Sequence, residues 1–341
     1  MNAAAAGGDG ARLSVVVPVY NEAENVARLV ERMHAALGEC GRPWELVLVD
    51  DGSRDDTVER AQALRARFGR HVRLVALQRN FGQTAAMQAG IDHARGEVIC
   101  TLDGDLQNDP ADIPRMVERL LAEDLDLLVG WRKARKDDPL RMFLSRVANR
   151  IIGRITGVRL HDYGCSLKVY RADVVRNIRL YGEMHRFIPA WIAGATHPSK
   201  IGEEVVQHHP RTGGVSKYGL SRVWRVVLDL FAVYFFMRYR ARPGHFFGSI
   251  GLFFGLIGGA ALVYLTLLKF ITGVDIGDRP LLIMGVLFVL IGIQLLTTGV
   301  LAEMATRTYY EATEMRPYVL RPSEVAMPAE DAGWYGGGVG D

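Results

Sequence analysis

Short β-rich apolar runs alternate with helical stretches through the first 130 residues, and two long uncharged blocks lie near the end of the chain. Residues 13–19 are a branched apolar run that reads as a buried strand. Residues 22–37 carry apolar positions at helical spacing, with Asn21 placed as a cap. Residues 45–49 and 57–67 repeat the pair, and residues 72–77 and 84–94 repeat it again. Residues 98–102 form a fourth strand, followed by an acidic loop and a helix near 113–120; residues 126–129 are a fifth strand. This alternation predicts a largely parallel sheet covered by helices. Ligands of such sheets bind beyond the carboxyl ends of the strands.

After Gly130 the pattern changes. A strongly basic stretch turns helical, with Arg141, Ser145, Asn149 and Arg150 on one face and Arg154 beside it, which is either a solvated face or a phosphate contact. HDYGCSLKVYR reads as a loop followed by a strand, residues 201–206 as another strand, and RTGGVSKYG as a glycine-rich basic loop. Residues 221–237 carry a narrow polar stripe (Arg222, Arg225, Asp229) on an otherwise apolar helix. That pattern fits an amphipathic helix in a membrane interface, the alternative being a buried core helix.

Residues 246–268 and 281–302 contain no charged side chain. Each is long enough to cross a hydrocarbon core of about 30 Å, and both are expected to span a membrane. Gly251, Gly255 and Gly259 form a ridge that admits a close helix partner, either the second span or another copy of the chain. Arg238, Arg240 and Arg242 precede the first span and Arg307 follows the second, so the positive-inside rule puts both termini in the cytoplasm. The expected division is a disordered N-terminus (1–11), a catalytic domain (12–220), an interface helix (221–242), a two-helix hairpin (243–306) and a tail (307–341), poorly ordered from Pro317. The N-terminus lacks the basic start and apolar core of a signal peptide.

Net charge is only +3, so bulk charge gives no reason to expect a nucleic-acid partner. Cys40, Cys100 and Cys165 lie far apart without metal-ligand spacing and suit a reducing compartment.

The chemistry concentrates in CTLDGDLQNDP, residues 100–110. Asp103 and Asp105, two apart at a strand end with Gln107 following, are hard oxygen ligands suited to Mg²⁺ or Mn²⁺ carrying a diphosphate. Asp109-Pro110 reads equally well as a helix cap. Pro18, Tyr20, Asn21 and Glu22 close the first strand at the same sheet edge, and Asp50 and Asp51 close the second, where a carboxylate can accept from a nucleobase N–H or ribose hydroxyls. Arg132, Arg141 and Arg211 are candidates for phosphate oxygens. Asp162 is either a base or acceptor-positioning group, or the cap of a turn. No Ser-His-Asp or Cys-His set is evident.

In order, VVVPVYNE, VDDGSRDDT, QRNFGQTAAMQAGIDHARGEV and TLDGDLQNDP resemble the family 2 glycosyltransferases with a GT-A nucleotide-sugar domain. DYGCSLKVYR, FIP, HHPRTGGVSKYG and the two apolar blocks narrow the likeness to the polyprenyl-phosphate glycosyltransferases. That group includes dolichyl-phosphate mannose synthase and the undecaprenyl-phosphate 4-deoxy-4-formamido-L-arabinose transferases. The resemblance, over residues 12–310, implies a GT-A type α/β fold and transfer of a sugar from a nucleotide donor, UDP favoured, to undecaprenyl or dolichyl phosphate at the cytoplasmic face of a bacterial plasma membrane. It implies that Pro18, Tyr20, Glu22, Asp50 and Asp51 hold the nucleoside. Asp103, Asp105 and Gln107 would hold the metal and donor diphosphate, Arg132, Arg141 and Ser145 would contact phosphates, and Arg211 and Lys217 would close over the site. Asp103-Gly104-Asp105 departs from the usual Asp-Ala-Asp, and Glu183 to Arg186 depart from the arabinose-transferase pattern, which leaves the sugar open. A processive polysaccharide synthase would need more spans and a Gln-x-x-Arg-Trp segment, and none occurs. A non-catalytic nucleotide-binding scaffold would not need the acids, and two spans leave no pathway for a lipid-sugar flippase.

Overall fold

The computed structural model describes residues 11–133, 146, 149–150, 152–154, 156–180, 184–209, 234–235, 239, 243–312, 317–321 and 334–335. It divides into two compact units. One comprises residues 1–230 with 316–341, and the other residues 231–315.

The first unit is built on a seven-stranded sheet. The strands are β1 (Leu13–Val19), β2 (Trp44–Asp50), β3 (Val72–Ala76), β4 (Val98–Thr101), β5 (Leu127–Trp131), β6 (Lys168–Arg171) and β7 (Ile201–Val205), in the order β3-β2-β1-β4-β6-β5-β7. All neighbours are parallel except β6, which runs antiparallel to both β4 and β5. The first strands are mostly apolar and buried almost throughout because both faces are covered. Helix α1 (Val26–Leu37) buries Val26, Leu29, Val30, Met33 and Leu37, and α4 (Ile113–Ala122) buries Ile113, Met116, Val117 and Leu120, both at helical spacing. Helix α2 is Thr57–Phe68. Helix α3 (Gln83–His93) differs, being buried from Thr84 to Ile91 and built from small residues that let it approach the sheet closely. A Cβ on Gly90 would stand 2.2 Å from Val16 Cγ1.

The sheet order reverses at β1: β2 and β3 lie to one side, and β4 returns on the other. That switch point opens a crevice at the carboxyl ends of β1 and β4. Because β6 is reversed, its first residue lies opposite the end of β4, with Lys168 in register with Thr101. The loop preceding β6 therefore reaches the same edge as the loops that follow the parallel strands.

The second unit holds two helices long and apolar enough to cross a membrane, Pro243–Thr272 and Pro280–Ala302, the latter continuing as helix to Ala312. Of the glycine ridge, Gly251 faces the second helix. A Cβ on Gly251 would stand 2.7 Å from Gly292 O, and one on Gly258, beside the ridge, would stand 2.6 Å from Gly285 O, whereas Cβ atoms on Gly255 and Gly259 would face open space. The expected interface helix lies outside the described residues apart from 234–235 and 239, where the Phe235 ring packs on Phe246 at 5.3 Å.

One expectation is corrected. The tail is placed at 317–321 and 334–335, where it folds onto the sheet of the first unit rather than remaining disordered. Leu320 bridges Leu77, and Tyr335 bridges Trp44.

Candidate active site

The loops after β1 and β2 are stitched together. Asn21 N donates to Ser53 Oγ (2.9 Å), Arg54 N to Asn21 Oδ1 (2.9 Å), Glu22 N to Thr57 Oγ1 (2.9 Å) and Ala23 N to Asp55 Oδ2 (3.2 Å). Asn21 takes φ 53°, a conformation Asn tolerates. Gly52 takes φ 71°, and a Cβ there would stand 2.4 Å from the Arg79 backbone, so two loops meet at a point only glycine fits. Tyr20 is exposed and Pro18 and Glu22 are half-buried; Glu22 accepts from Asn25 Nδ2 at 2.6 Å.

Asp50 and Asp51 have different duties. Asp50 is fully buried and accepts from Ser53 N at 3.1 Å. Asp51 accepts from Phe81 N (2.7 Å) and Gly82 N (2.9 Å), one per oxygen, and so fixes the start of α3. Burial pushes both carboxyls above the ordinary range against these hydrogen bonds.

The acidic loop alternates. Leu102, Gly104, Leu106, Asn108 and Pro110 are buried, while Asp103, Asp105, Gln107 and Asp109 are partly open on the other side. Leu106 takes φ 61°, a strained conformation for a branched side chain, which is held because that side chain is locked in the core. Asp103 Oδ1 accepts from Gln83 Nε2 at 2.7 Å, and its carboxyl is also bonded by Ser166, whose Oγ receives Asn108 Nδ2 at 2.6 Å. Burial, and then the charge of Asp105, raise the Asp103 pKa against Ser166, Lys168 and Arg132. Gln107 N donates to Asp105 Oδ1 at 3.2 Å. Asp109 takes the capping alternative: it accepts from Ala111 N and pairs with Arg32 (2.8 Å) and His209 (2.8 Å).

Arg132, just past β5, meets Asp162 in a fork: Nε to Oδ2 at 2.7 Å and Nη2 to Oδ1 at 3.0 Å. Glu203 Oε1 receives Asp162 N at 3.0 Å and His161 N at 2.7 Å, and the His161 ring stacks on Trp131 at 4.2 Å. Beneath them Lys168 is buried and donates to Cys165 O; burial lowers its pKa even though the Asp103 and Asp162 charges act to raise it.

The structure thus gathers Asp103, Asp105 and Gln107 on one loop, and the charges of Lys168 and Arg132 act on Asp103, while Asp162 pairs with Arg132. Pro18, Tyr20, Glu22, Asp50 and Asp51 belong to the adjoining loops. Arg141, Ser145, Arg211 and Lys217 lie outside the described residues. Sequence reasoning missed Gln83, Ser166 and Lys168. The available signal was in segments already singled out, QRNFGQ and GCSLKVYR, but only the reversal of β6 shows that the second reaches the acids.

The chain matches the Glycosyl transferase family 2 over residues 14–179. A protein of Rhizobium johnstonii, dodecaprenyl-phosphate galacturonate synthase, is 59% identical over 91% of this chain and 92% of its own length. The undecaprenyl-phosphate 4-deoxy-4-formamido-L-arabinose transferase of Pseudomonas aeruginosa is 38% identical over 93% of each chain. Among solved structures, glucosyl-3-phosphoglycerate synthase of Mycobacterium tuberculosis bound to Mn²⁺ and UDP-glucose shares the fold at TM-score 0.50 and 16% identity, over 67% of this chain and 79% of that one. Mannosyl-3-phosphoglycerate synthase of Rubrobacter xylanophilus does so at TM-score 0.51 and 15% identity, over 66% and 74%. With its GT-A-like sheet, its acid loop at the switch point and relatives of this closeness, the chain belongs to the family 2 glycosyltransferases, in the group that acts on polyprenyl phosphates.

Proposed function

We propose that this protein transfers a sugar, with galacturonate the first candidate, from a UDP-linked donor to the phosphate of a polyprenyl lipid such as dodecaprenyl or undecaprenyl phosphate. The observation that carries the proposal is the Asp103–Asp105 pair at the switch point, beside two stitched loops able to hold a nucleoside. A relative 59% identical to this chain is named for galacturonate synthesis on a polyprenyl phosphate, which is why that sugar comes first.

Among the described residues no three His, Cys, Asp or Glu side chains converge on one point. The donor set nevertheless fits a hard divalent ion, because such ions take one or two carboxylates and complete their shell with water and substrate phosphates. Burial, and then the like charge of Asp105, raise the Asp103 pKa, so the pair favours a cation. Asp103, Asp105 and Gln107 would hold Mg²⁺ or Mn²⁺, which when bound supplies charge neutralisation to the departing diphosphate.

The residues of the chain then do the rest. The loops of Pro18, Tyr20, Glu22, Asp50 and Asp51 orient the nucleoside. Arg132, its guanidinium plane fixed by Asp162, places positive charge near the phosphates. Arg141, Ser145, Arg211 and Lys217 are further phosphate contacts on this reading. The attacking group is the lipid monophosphate, mostly dianionic at neutral pH because its second pKa is near 6. It needs no protein base, so Asp162 serves to orient Arg132. Direct displacement inverts the sugar carbon.

The reading places the protein in the bacterial plasma membrane. The chain before the first span and the tail after the second fold into one unit, which supports a hairpin with both ends on the same side. The flanking arginines favour the cytoplasm.

The test incubates the purified full chain in lipid nanodiscs with polyprenyl phosphate, Mn²⁺ or Mg²⁺ and a panel of UDP- and GDP-sugars. Lipid-linked galacturonate of inverted configuration is expected from UDP-galacturonate. A panel that yields no lipid-linked sugar overturns the proposal.

A further inference from the structure

The tail after the second span returns to the sheet, and it returns to a particular place. β3 is the edge strand. Residues 319–321 lie antiparallel to its carboxyl end, with Gln78 N donating to Val319 O (2.9 Å) and Arg321 N donating to Ala76 O (2.9 Å). Tyr318 is buried, and its hydroxyl donates to Asp92 Oδ2 at 2.8 Å, which locks the strand to α3. Further on, Tyr335 exchanges both backbone hydrogen bonds with Trp44 at the start of β2, each 3.0 Å, and the Trp334 ring lies under the Arg95 guanidinium at 4.8 Å. The tail is therefore fastened at both ends of the sheet edge.

Covering an exposed edge strand is reason enough for a backbone to lie there. The Arg321 side chain asks for more. Leu77 N donates to Asp50 O, so the part of β3 that receives the tail is hydrogen-bonded directly to the end of β2. The charge of Arg321 acts on the Asp50 carboxylate. Asp50 is fully buried, and its side chain holds Ser53 N, the residue whose hydroxyl in turn holds Asn21 N. A buried carboxylate without a countercharge is costly, and this one sits at the root of the loop pair assigned to the nucleoside.

We infer that the C-terminal strand is part of the nucleoside subsite, with Arg321, paired beside Ala76 and so one strand away from the end of β2, a positioning residue that acts on Asp50 and, through Ser53 and Asn21, keeps the two donor loops in register. The inference rests on the nucleotide-binding reading above and adds to it a residue about 270 positions away in sequence. It also means that the donor site is complete only after the chain has passed through both apolar helices and come back.

The test measures UDP affinity of the full chain in nanodiscs by calorimetry, together with donor KM, lipid KM and kcat. Arg321→Gln removes the charge but leaves the backbone pairing of the strand intact. It is expected to weaken UDP binding and raise donor KM about tenfold, with lipid KM and kcat at saturating donor within about twofold of wild type. Arg321→Lys, which restores the charge, is expected to recover most of the loss. Wild-type UDP affinity in Arg321→Gln, or equal losses in the Gln and Lys variants, overturns the inference and leaves the strand as an edge cover. A wild-type chain that binds no UDP overturns instead the nucleotide reading on which it stands.

Discussion

Two acids of β2, Glu45 and Asp50, are equally buried and sit at opposite ends of the same strand, yet their environments push them in opposite directions. Burial raises the Glu45 pKa, but Ser14 Oγ at 2.6 Å, the Arg73 charge at 2.9 Å and Arg95 at 2.8 Å outweigh it and hold the carboxyl below the ordinary range. At the other end burial wins: Asp50 is held above the ordinary range, and so is Asp103 across the crevice on the β4 loop. The amino end of the sheet is a closed ionic network that serves the fold. The carboxyl end holds charge that the fold has only partly neutralised. A structural acid arrives with its counterions, whereas a functional acid leaves room for one supplied by the ligand.

Removing either kind of acid should therefore give opposite phenotypes. The largest effect is expected from Asp105→Ala, which should reduce sugar transfer by about 10³-fold or more, the scale of losing transition-state charge stabilisation. Its thermal midpoint and membrane association should stay close to wild type, measured by lipid-product assay beside a melting curve. Glu45→Ala should do the reverse. Leaving the buried Arg73 without its partner costs about 3–5 kcal/mol, which denaturation would show as a large fall in midpoint with turnover per folded molecule retained.

Asp103→Asn sharpens the contrast. It keeps the oxygen that accepts from Gln83 and removes the repulsion with Asp105. The metal-free protein should melt at a higher temperature than wild type while transfer is lost. The same logic sets the pH dependence. Glu45 has a lowered folded pKa, so its stabilisation is present above the unfolded value of 4.5 and is lost as pH falls through the folded value. Asp103 has a raised folded pKa, so its cost is absent in acid and grows as pH rises from 3.8 through the folded value. Between wild type and Asp103→Asn, the gap in melting temperature should close in acid and open toward neutrality, and Mn²⁺ should narrow it at neutral pH in wild type only. The smallest effect in the series is Gly52→Ala. A φ of 71° with a Cβ costs about 1–2 kcal/mol, and contact with the Arg79 backbone should shift the loop and raise donor KM severalfold with little change in kcat.

The βα alternation of the first half was legible because each strand is a branched apolar run and each helix repeats at its own spacing. Asp103 and Asp105 were legible because two carboxylates two apart beyond a strand point the same way. The apolar helices were legible from length and lack of charge. The rest depended on long-range pairing that local pattern does not encode. Nothing within KVYR says that it runs antiparallel between β4 and β5, which is what carries Ser166 and Lys168 to the acids. Helix α3 hides its face because it is buried nearly all round, so Gln83 at its start drew no notice. The tail looked disordered for want of a long apolar run, but three residues suffice when they add to an edge that is already there.

The central claim is that the acids at the carboxyl edge are a cation site awaiting the donor diphosphate. Its most direct measurement is Mn²⁺ binding by electron paramagnetic resonance, with and without UDP, on the wild-type chain and on the Asp103→Asn/Asp105→Asn double variant. The account predicts one Mn²⁺ per wild-type chain, bound more tightly with UDP, and none in the double variant. Equal Mn²⁺ binding by both proteins in the presence of UDP would contradict it.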